Sequence, residues 1–306
     1  MELNEQSVGI KTLLQVLRLA ESYLKKRGVP SARLSAEHLL ASVLAVERLG
    51  LYLSFDRPLV ERELAEYRGL LRRRAEREPL QYLLGGTGFR ELNVGLGPGV
   101  MVPRPETELL VGLVLDRLDD VAESTGAKDN YLLKVIDLCT GSGVIGLSLA
   151  RERTGLWCLL TDISREALAW AVKNYRRPGS SWQSKVSFLC GDLLEPLAQR
   201  PLFEIAVANP PYVSTQELEL LPEEIKRYEP IQALAGGGID GTGVIGRIIK
   251  SSPRIMKRGG LLALEIGEMQ EEKVKALFDE RKSEYSGTEF HRDLAGKARF
   301  VTAFRN

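Results

Sequence analysis

The spacing of apolar positions changes character twice along the chain. KTLLQVLRLAESYLKKRG, residues 11–28, places apolar side chains at helical intervals and closes on basic residues before Gly28. That pattern predicts an amphipathic helix with a glycine stop. SARLSAEHLLASVLAV, residues 31–46, predicts a second helix, with Ser31 as its N-cap and Pro30 ending the segment before it. RPLVERELAEYRGLLRRRAERE, residues 57–78, predicts a third. Residues 1–78 therefore read as a small helical bundle. Residues 79–103 lose the helical period and gain glycine and proline. FRELNVGLG alternates enough for one arm of a hairpin, and the stretch reads as a linker.

From residue 104 onward, short apolar runs alternate with helical patterns. The runs LLKVIDL, WCLLTD, KVSFLC, FEIAVAN, LLALEI and ARFVTAF predict six strands. Between and around them, helices are predicted at ETELLVGLVLDRL, GVIGLSLARER, SREALAWAVKNYR, TGVIGRIIKSSPRIMKRG and EMQEEKVKALFDERK. Near-continuous apolar strands alternating with helices imply an α/β fold, a mostly parallel sheet covered on both faces. Ligands in such sheets bind beyond the carboxyl ends of the strands, near the point where strand order reverses. The chemistry is expected in the loops after VIDL, LLTD, FLC and AVA.

Composition narrows the class of protein. The chain has 306 residues, 44% hydrophobic and 27% charged, with a formal net charge of +1. That is an ordinary globular balance, with no whole-chain footprint for a polyanion or an anionic membrane. No apolar run approaches the ~20 residues of a membrane helix. The polar start MELNEQSVGI resembles neither a signal peptide nor a basic transit peptide, so a cytoplasmic location is expected. Cys139, Cys158 and Cys190 are odd in number and widely spaced, which argues against a disulfide framework. With two histidines and no Cys/His cluster, no metal site is expected. Arg72, Arg73, Arg74 and Arg77 read either as a solvated helix face or as a docking patch for an acidic or RNA-rich partner.

After the run LLKVIDL comes CTGSGVIG, in which Gly141, Gly143 and Gly146 match G-x-G-x-x-G between a predicted strand and a predicted helix. Asp162 ends the next strand, near the offset at which an acid holds ribose hydroxyls. The glycine loop alone does not choose between a nicotinamide dinucleotide and S-adenosylmethionine. Asp137, just before the loop, is placed to orient it or to face a methionine amino group. Asp192, in CGDLL, is placed to accept from an adenine N6 amine. Successive acids at strand ends favour S-adenosylmethionine.

The stretch EIAVANPPYVS ends a strand in Asn209, Pro210, Pro211 and Tyr212. Proline fixes φ and donates no backbone hydrogen bond, so two in a row stiffen the loop and leave carbonyls undonated. The Asn209 side-chain oxygen adds a further acceptor, and Tyr212 is available as an aromatic wall. Such a site suits a planar NH2 group on a conjugated system. Acceptors aimed off its plane favour pyramidal geometry and raise electron density on nitrogen, which can then attack a sulfonium methyl. Positioning and electrostatic preorganisation carry this chemistry, and no strong base is required.

With these motifs the sequence resembles class I, S-adenosylmethionine-dependent (Rossmann-like) amino-methyltransferases, which carry [DNS]-P-P-[YFW]. More closely it resembles the bacterial and organellar release-factor glutamine methyltransferases, the PrmC/HemK family. VPRPETE at 102–108, DLCTGSGVIGLSLA at 137–150, TDIS at 161–164, GDLL at 191–194 and NPPY at 209–212 carry the likeness. YEPIQALAGGGIDG at 228–241, LEIGEMQ at 264–270 and DLAGKARF at 293–300 extend it over nearly the whole chain.

The resemblance implies methyl transfer from S-adenosylmethionine to the glutamine amide in the Gly-Gly-Gln tip of class I peptide-chain release factors. It implies that Cys139, Thr140, Gly141, Ser142, Gly143, Asp162 and Asn209 line the cofactor site, with Asp192 and Leu193 near the adenine. Asn209, Pro210, Pro211 and Tyr212 are implied to hold the glutamine amide, and residues 1–78 to grip the release factor. A methyltransferase domain over 104–306, a monomer, and no nucleic-acid substrate are expected. Cys139 departs from the glycine of many members. Arg104 and Glu106 either close over the cofactor, brace the linker, or simply begin a capped helix. A nucleic-acid adenine N6-methyltransferase is the main alternative, because an adenine amine also fits NPPY. Against it stand the near-neutral charge and the lack of a base-reading module. A nicotinamide oxidoreductase leaves NPPY unexplained, and an intact loop, acid and NPPY argue against a non-enzymatic adaptor.

Overall fold

The computed structural model describes residues 12–126 and 132–306, and the polar start at residues 1–11 lies outside the described residues. Two compact units emerge, one running to Gly86 and including Glu223–Tyr228, the other made of Thr87–Pro222 and Glu229–Asn306.

The first unit is helical: α1 (Leu13–Lys26), α2 (Ala32–Leu44), α3 (Arg48–Tyr52), α4 (Glu61–Ala75) and α5 (Leu80–Leu83). The first helix starts in a reciprocal capping box between Thr12 and Gln15. Ser31 holds the N-cap position of α2, but its left-handed backbone (φ 49°) leaves its side chain without a capping bond. Leu13, Leu17 and Leu24 of α1 pack with Leu39 and Leu40 of α2, Leu51 of α3, and Tyr67 and Leu71 of α4. Each such aliphatic side chain contributes roughly 1.5–3 kcal/mol on full burial. The arginine run is no continuous patch. Arg74 is buried at 3% exposure. Its guanidinium bonds Ser35 Oγ, the Glu78 carbonyl and the Glu224 carboxylate, while Arg73 is held bidentately by Glu78.

A two-stranded hairpin follows, β1 (Gly86–Phe89) and β2 (Leu92–Gly95), so the alternating stretch 89–97 contains the turn as well as an arm. Next in chain order come α6 (Thr107–Asp116), α7 (Leu118–Ser124), β3 (Leu133–Leu138), α8 (Val144–Glu152) and β4 (Leu156–Asp162). Then come α9 (Arg165–Tyr175), β5 (Lys185–Cys190), β6 (Phe203–Ala208), α10 (Thr215–Leu220) and α11 (Glu223–Tyr228). The chain ends with α12 (Gly243–Ser251), β7 (Met256–Glu265), α13 (Glu271–Asp279), β8 (Tyr285–Arg292) and β9 (Ala298–Arg305).

The main sheet has seven strands in the order β5-β4-β3-β6-β7-β9-β8. The first five in that order run parallel, β9 is antiparallel to β7, and β8 is antiparallel to β9 and so runs in the direction of the first five. Strand order reverses at β3, whose neighbours are β4 and β6. The switch point of this doubly wound sheet lies between the loops after β3, β4 and β6. Two differences from the sequence reading have simple causes. The helix expected to run to residue 259 ends at Ser251, because Pro253 lacks the donor to continue it. The edge strand β8 is mostly exposed and polar, so it leaves no apolar run to read.

Candidate active site

The glycine loop turns from β3 into α8. Gly141 (φ 57°) and Gly143 (φ 88°) adopt left-handed backbone, and so does Cys139 (φ 54°) despite its side chain. Asp137 sits fully buried beneath the loop. Its Oδ2 accepts from Thr140 Oγ1 at 2.5 Å and from the Gly146 N–H at 2.9 Å. Asp137 thus ties both ends of the loop together, and its Oδ1 has no hydrogen-bond partner among the described residues. Burial pushes its carboxyl up to about 7, against the pull of those two donors. A Cβ at Gly146 would stand 2.6 Å from Leu160 Cδ1, so the close approach of α8 to β4 requires glycine there.

Asp162, at the end of β4, closes the loop from the other side. Its Oδ2 accepts from Gly141 N–H at 2.9 Å and its Oδ1 from Ser164 N–H at 2.8 Å. Burial raises its pKa, and the backbone donors oppose that rise. Ile163 N–H adds to these backbone donors, and the carboxylate keeps acceptor capacity for a further donor.

Asn209 follows β6. Its Nδ2 donates to Thr107 Oγ1 at 3.1 Å, and Thr107 Oγ1 donates to Glu265 Oε2 at 2.8 Å. Glu265 Oε1 accepts from the Tyr212 hydroxyl at 3.2 Å. Glu265 is 1% exposed, and burial lifts its carboxyl to about 7, against the effect of its two hydroxyl donors. Burial also raises the Tyr212 phenol, which stays protonated. Behind the loop, Gln270 Nε2 donates to the carbonyls of Tyr212 and Asp240, both at 2.8 Å. A Cβ on Gly236 would lie 2.7 Å from Tyr212 Cα, and one on Gly241 would lie 2.2 Å from the Tyr212 carbonyl oxygen. The glycine run 236–241 is therefore a close backing for the NPPY loop.

The segment after β2 is fastened to the same region. Asn174 accepts from Gly95 N–H through Oδ1 and donates through Nδ2 to the carbonyls of Gly95 and Ser142. Trp170 Nε1 donates to the Pro98 carbonyl. Arg104 bonds both oxygens of Glu229 at 2.8 and 2.9 Å, and Val102 N–H adds a bond to the same carboxylate. Arg104 thus braces this segment against the stretch after α11. No hydrogen bond or ion pair of the Glu106 side chain accompanies it among the described residues.

These parts border a cleft, open to solvent, at the carboxyl ends of β3, β4 and β6. Cys139, Thr140, Gly141, Ser142, Asp162, Asn209 and Pro211 line it, joined by Gly99–Met101, Thr107, Ile163 and Pro230. Asp162 is the one charged side chain among the lining residues, which include no Lys, Arg or His. The structure does not bring Gly143, Asp192, Leu193, Pro210 or Tyr212 to the lining. Gly143 packs under α8, where a Cβ would meet Leu147 and Ala171. Asp192 is held by Arg247 at 2.8 Å. Leu193 belongs to the apolar core, Pro210 is buried, and the Tyr212 ring packs on that core with its hydroxyl drawn to Glu265.

Thr107, Glu265 and Asn174 are functional candidates that sequence spacing did not single out. The VPRPETE and LEIGEMQ motifs contain two of them, and those motifs were the available signal. Among the described residues no group of three or more His, Cys, Asp or Glu could hold a metal ion. No described helix is long and apolar enough to cross a membrane.

Comparison with known proteins covers both units. Residues 15–85 match the family model described as the PrmC N-terminal domain, and residues 125–227 that of the methyltransferase small domain. The chain is 39% identical over 269 residues to a release factor glutamine methyltransferase of Geobacter sulfurreducens, covering 88% of this chain and 89% of that protein. It is 34% identical over 304 residues to a protein of the same name from Nitratidesulfovibrio vulgaris, covering 99% of each. A solved structure it resembles is the N-terminal domain of human METTL16 in complex with SAH, at 18% identity and TM-score 0.49, over 76% of this chain and 82% of that one.

Proposed function

The chain belongs to the release factor glutamine methyltransferase family, and from that membership and its cleft we propose that it methylates the side-chain amide of a release-factor glutamine, using S-adenosylmethionine. The observation that carries this reading is that the glycine loop, Asp162 and Asn209 line one cleft. The donor set fits the cofactor. A cleft whose only charged lining group among the described residues is a carboxylate suits a cationic sulfonium, and among those residues it offers no cation to a dinucleotide pyrophosphate. Asp162, with acceptor capacity left over from its backbone donors, fits a ribose hydroxyl, and Gly141 gives the backbone close approach. Bound there, S-adenosylmethionine supplies an electrophilic methyl group.

The protein's own work is positioning. Asn209 Oδ1 and a carbonyl of the proline pair accept the two N–H groups of the glutamine amide. Pro210 and Pro211 keep these acceptors from relaxing. Acceptors held off the amide plane weaken its conjugation and leave the nitrogen lone pair free for attack. The methylated nitrogen is acidic and loses its proton readily, so no histidine or other strong base is needed. Acceptors fixed in place before the substrate arrives need no reorganisation at the moment of reaction.

The substrate is the glutamine of the Gly-Gly-Gln tip of class I release factors, which the helical unit grips away from the tip. Nucleic acid is not a substrate, the enzyme works as a monomer in the cytoplasm, and no metal takes part. The test is transfer of label from S-adenosylmethionine to purified release factor, with DNA and RNA offered in parallel. Label on the release factor alone is expected; label on nucleic acid and none on the release factor overturns the reading.

A further inference from the structure

Glu265 sits at the end of β7, 1% exposed, with no ion pair among the described residues. A carboxylate in that setting is costly to bury, and its two side-chain partners are both hydroxyls, Thr107 at 2.8 Å and Tyr212 at 3.2 Å. We infer that Glu265, acting through Thr107, fixes which way the Asn209 amide faces, and so makes Asn209 Oδ1 the acceptor presented to the substrate.

The number of available protons sets each partner's role. An ionised carboxylate only accepts. Both hydroxyls must therefore turn their single protons toward Glu265. Thr107 Oγ1, 2% exposed, has then spent its proton and can only accept from Asn209. The Asn209 atom 3.1 Å away must be the NH2. The carbonyl end of the same amide is turned from Thr107, has no partner among the described residues, and belongs to a side chain that lines the cleft. Without this relay, either end of the amide could face the cleft. The NH2 end would oppose a substrate NH2 donor to donor. Glu265 and Thr107 are positioning residues, acting through Asn209 on the amide methylation proposed above.

The relay has a pH sense. A protonated Glu265 can donate to Thr107, whose own proton then turns toward Asn209 and draws Oδ1 away from the cleft. Thr107 and Tyr212 face the carboxyl directly, Arg299 of β9 favours its ionised form, and Glu106 before α6 opposes it. Its carboxyl is already lifted to about 7 by burial, so turnover rises with pH through that region and reaches its plateau above it.

The experiment measures steady-state methylation of a class I release factor against pH, together with S-adenosylmethionine affinity by calorimetry. It compares wild type with Thr107→Val, Thr107→Ser and Glu265→Gln. Wild-type transfer to the release factor is scored first, because its absence refutes the proposed activity and not the relay. With transfer present, Thr107→Val is expected to lower kcat by about 10- to 100-fold. Its cofactor affinity should stay within about threefold, the split that separates positioning from binding. Thr107→Ser, which restores the hydroxyl, should recover most of kcat. Glu265→Gln, with nothing to titrate, should lose the acid limb seen in wild type. Near-wild-type kcat in Thr107→Val overturns the relay, as does an unchanged acid limb in Glu265→Gln. If the valine variant does not fold, the glutamine variant and the wild-type limb still decide.

Discussion

At the scale of single residues, function rests on Asn209 and on what holds it. Asn209→Ala removes an acceptor from the reacting nitrogen and leaves the glycine loop and Asp162 intact. It should cut kcat by roughly 100-fold or more while cofactor affinity changes little. Equal losses in both, measured by kinetics and direct binding, would make Asn209 a cofactor ligand only. The importance of Asn209 was legible because NPPY is a local motif whose parts are chemically odd for a plain turn. Its partners were not. Thr107 lies 102 residues from Asn209, and Glu265 lies 158 from Thr107. No periodicity joins residues that only the sheet order brings together. The Tyr212–Glu265 contact was hidden for the same reason, since Glu265 is set by the position of β7.

At the scale of elements, buried carboxylates couple the loops to the sheet. Asp137 beneath α8 has its folded pKa raised to about 7, above its unfolded value. The folded state therefore holds a proton that the unfolded chain has lost across roughly pH 4 to 7, and stability falls as pH rises through 7. Asp137→Asn keeps an oxygen for Thr140 and Gly146 but cannot ionise. Its stability relative to wild type should improve from pH 5.5 to pH 8, as read by thermal unfolding; a constant difference would remove the charge cost from Asp137. The backing of the NPPY loop is equally specific. At Gly241 (φ 73°) a Cβ would meet the Tyr212 carbonyl at 2.2 Å and the Ser214 nitrogen at 2.8 Å, both backbone atoms. Gly241→Ala should cost about 1–3 kcal/mol through strain and lower kcat as the loop shifts. Wild-type melting and turnover would show that the loop is not braced there. The strand–helix alternation of this unit was readable because buried parallel strands are continuously apolar. The edge strand β8 and the short helices α3, α5, α10 and α11 were not, because they bury too little to leave a pattern.

At the scale of the whole chain, the two units divide recognition from chemistry in the proposed account. The helical unit's fold follows from its amphipathic pattern, yet the arginines that sequence alone suggested for docking are partly consumed inside it: Arg74 by Ser35 and Glu224, Arg73 by Glu78. A basic run shows charge but not which side chains the packing has already taken. Likewise the segment read as a linker contributes Gly99–Met101 and Pro103 to the cleft, because Asn174 and Trp170 fasten that stretch to the catalytic unit. The central claim, that one glutamine amide is the acceptor, is tested most directly by fragmenting the Gly-Gly-Gln peptide of a release factor after reaction with wild-type enzyme and S-adenosylmethionine. A single methyl group on the amide nitrogen of that glutamine is expected, absent when Asn209→Ala replaces wild type. A methyl group on any other atom of the release factor, with that glutamine unmodified, would contradict it.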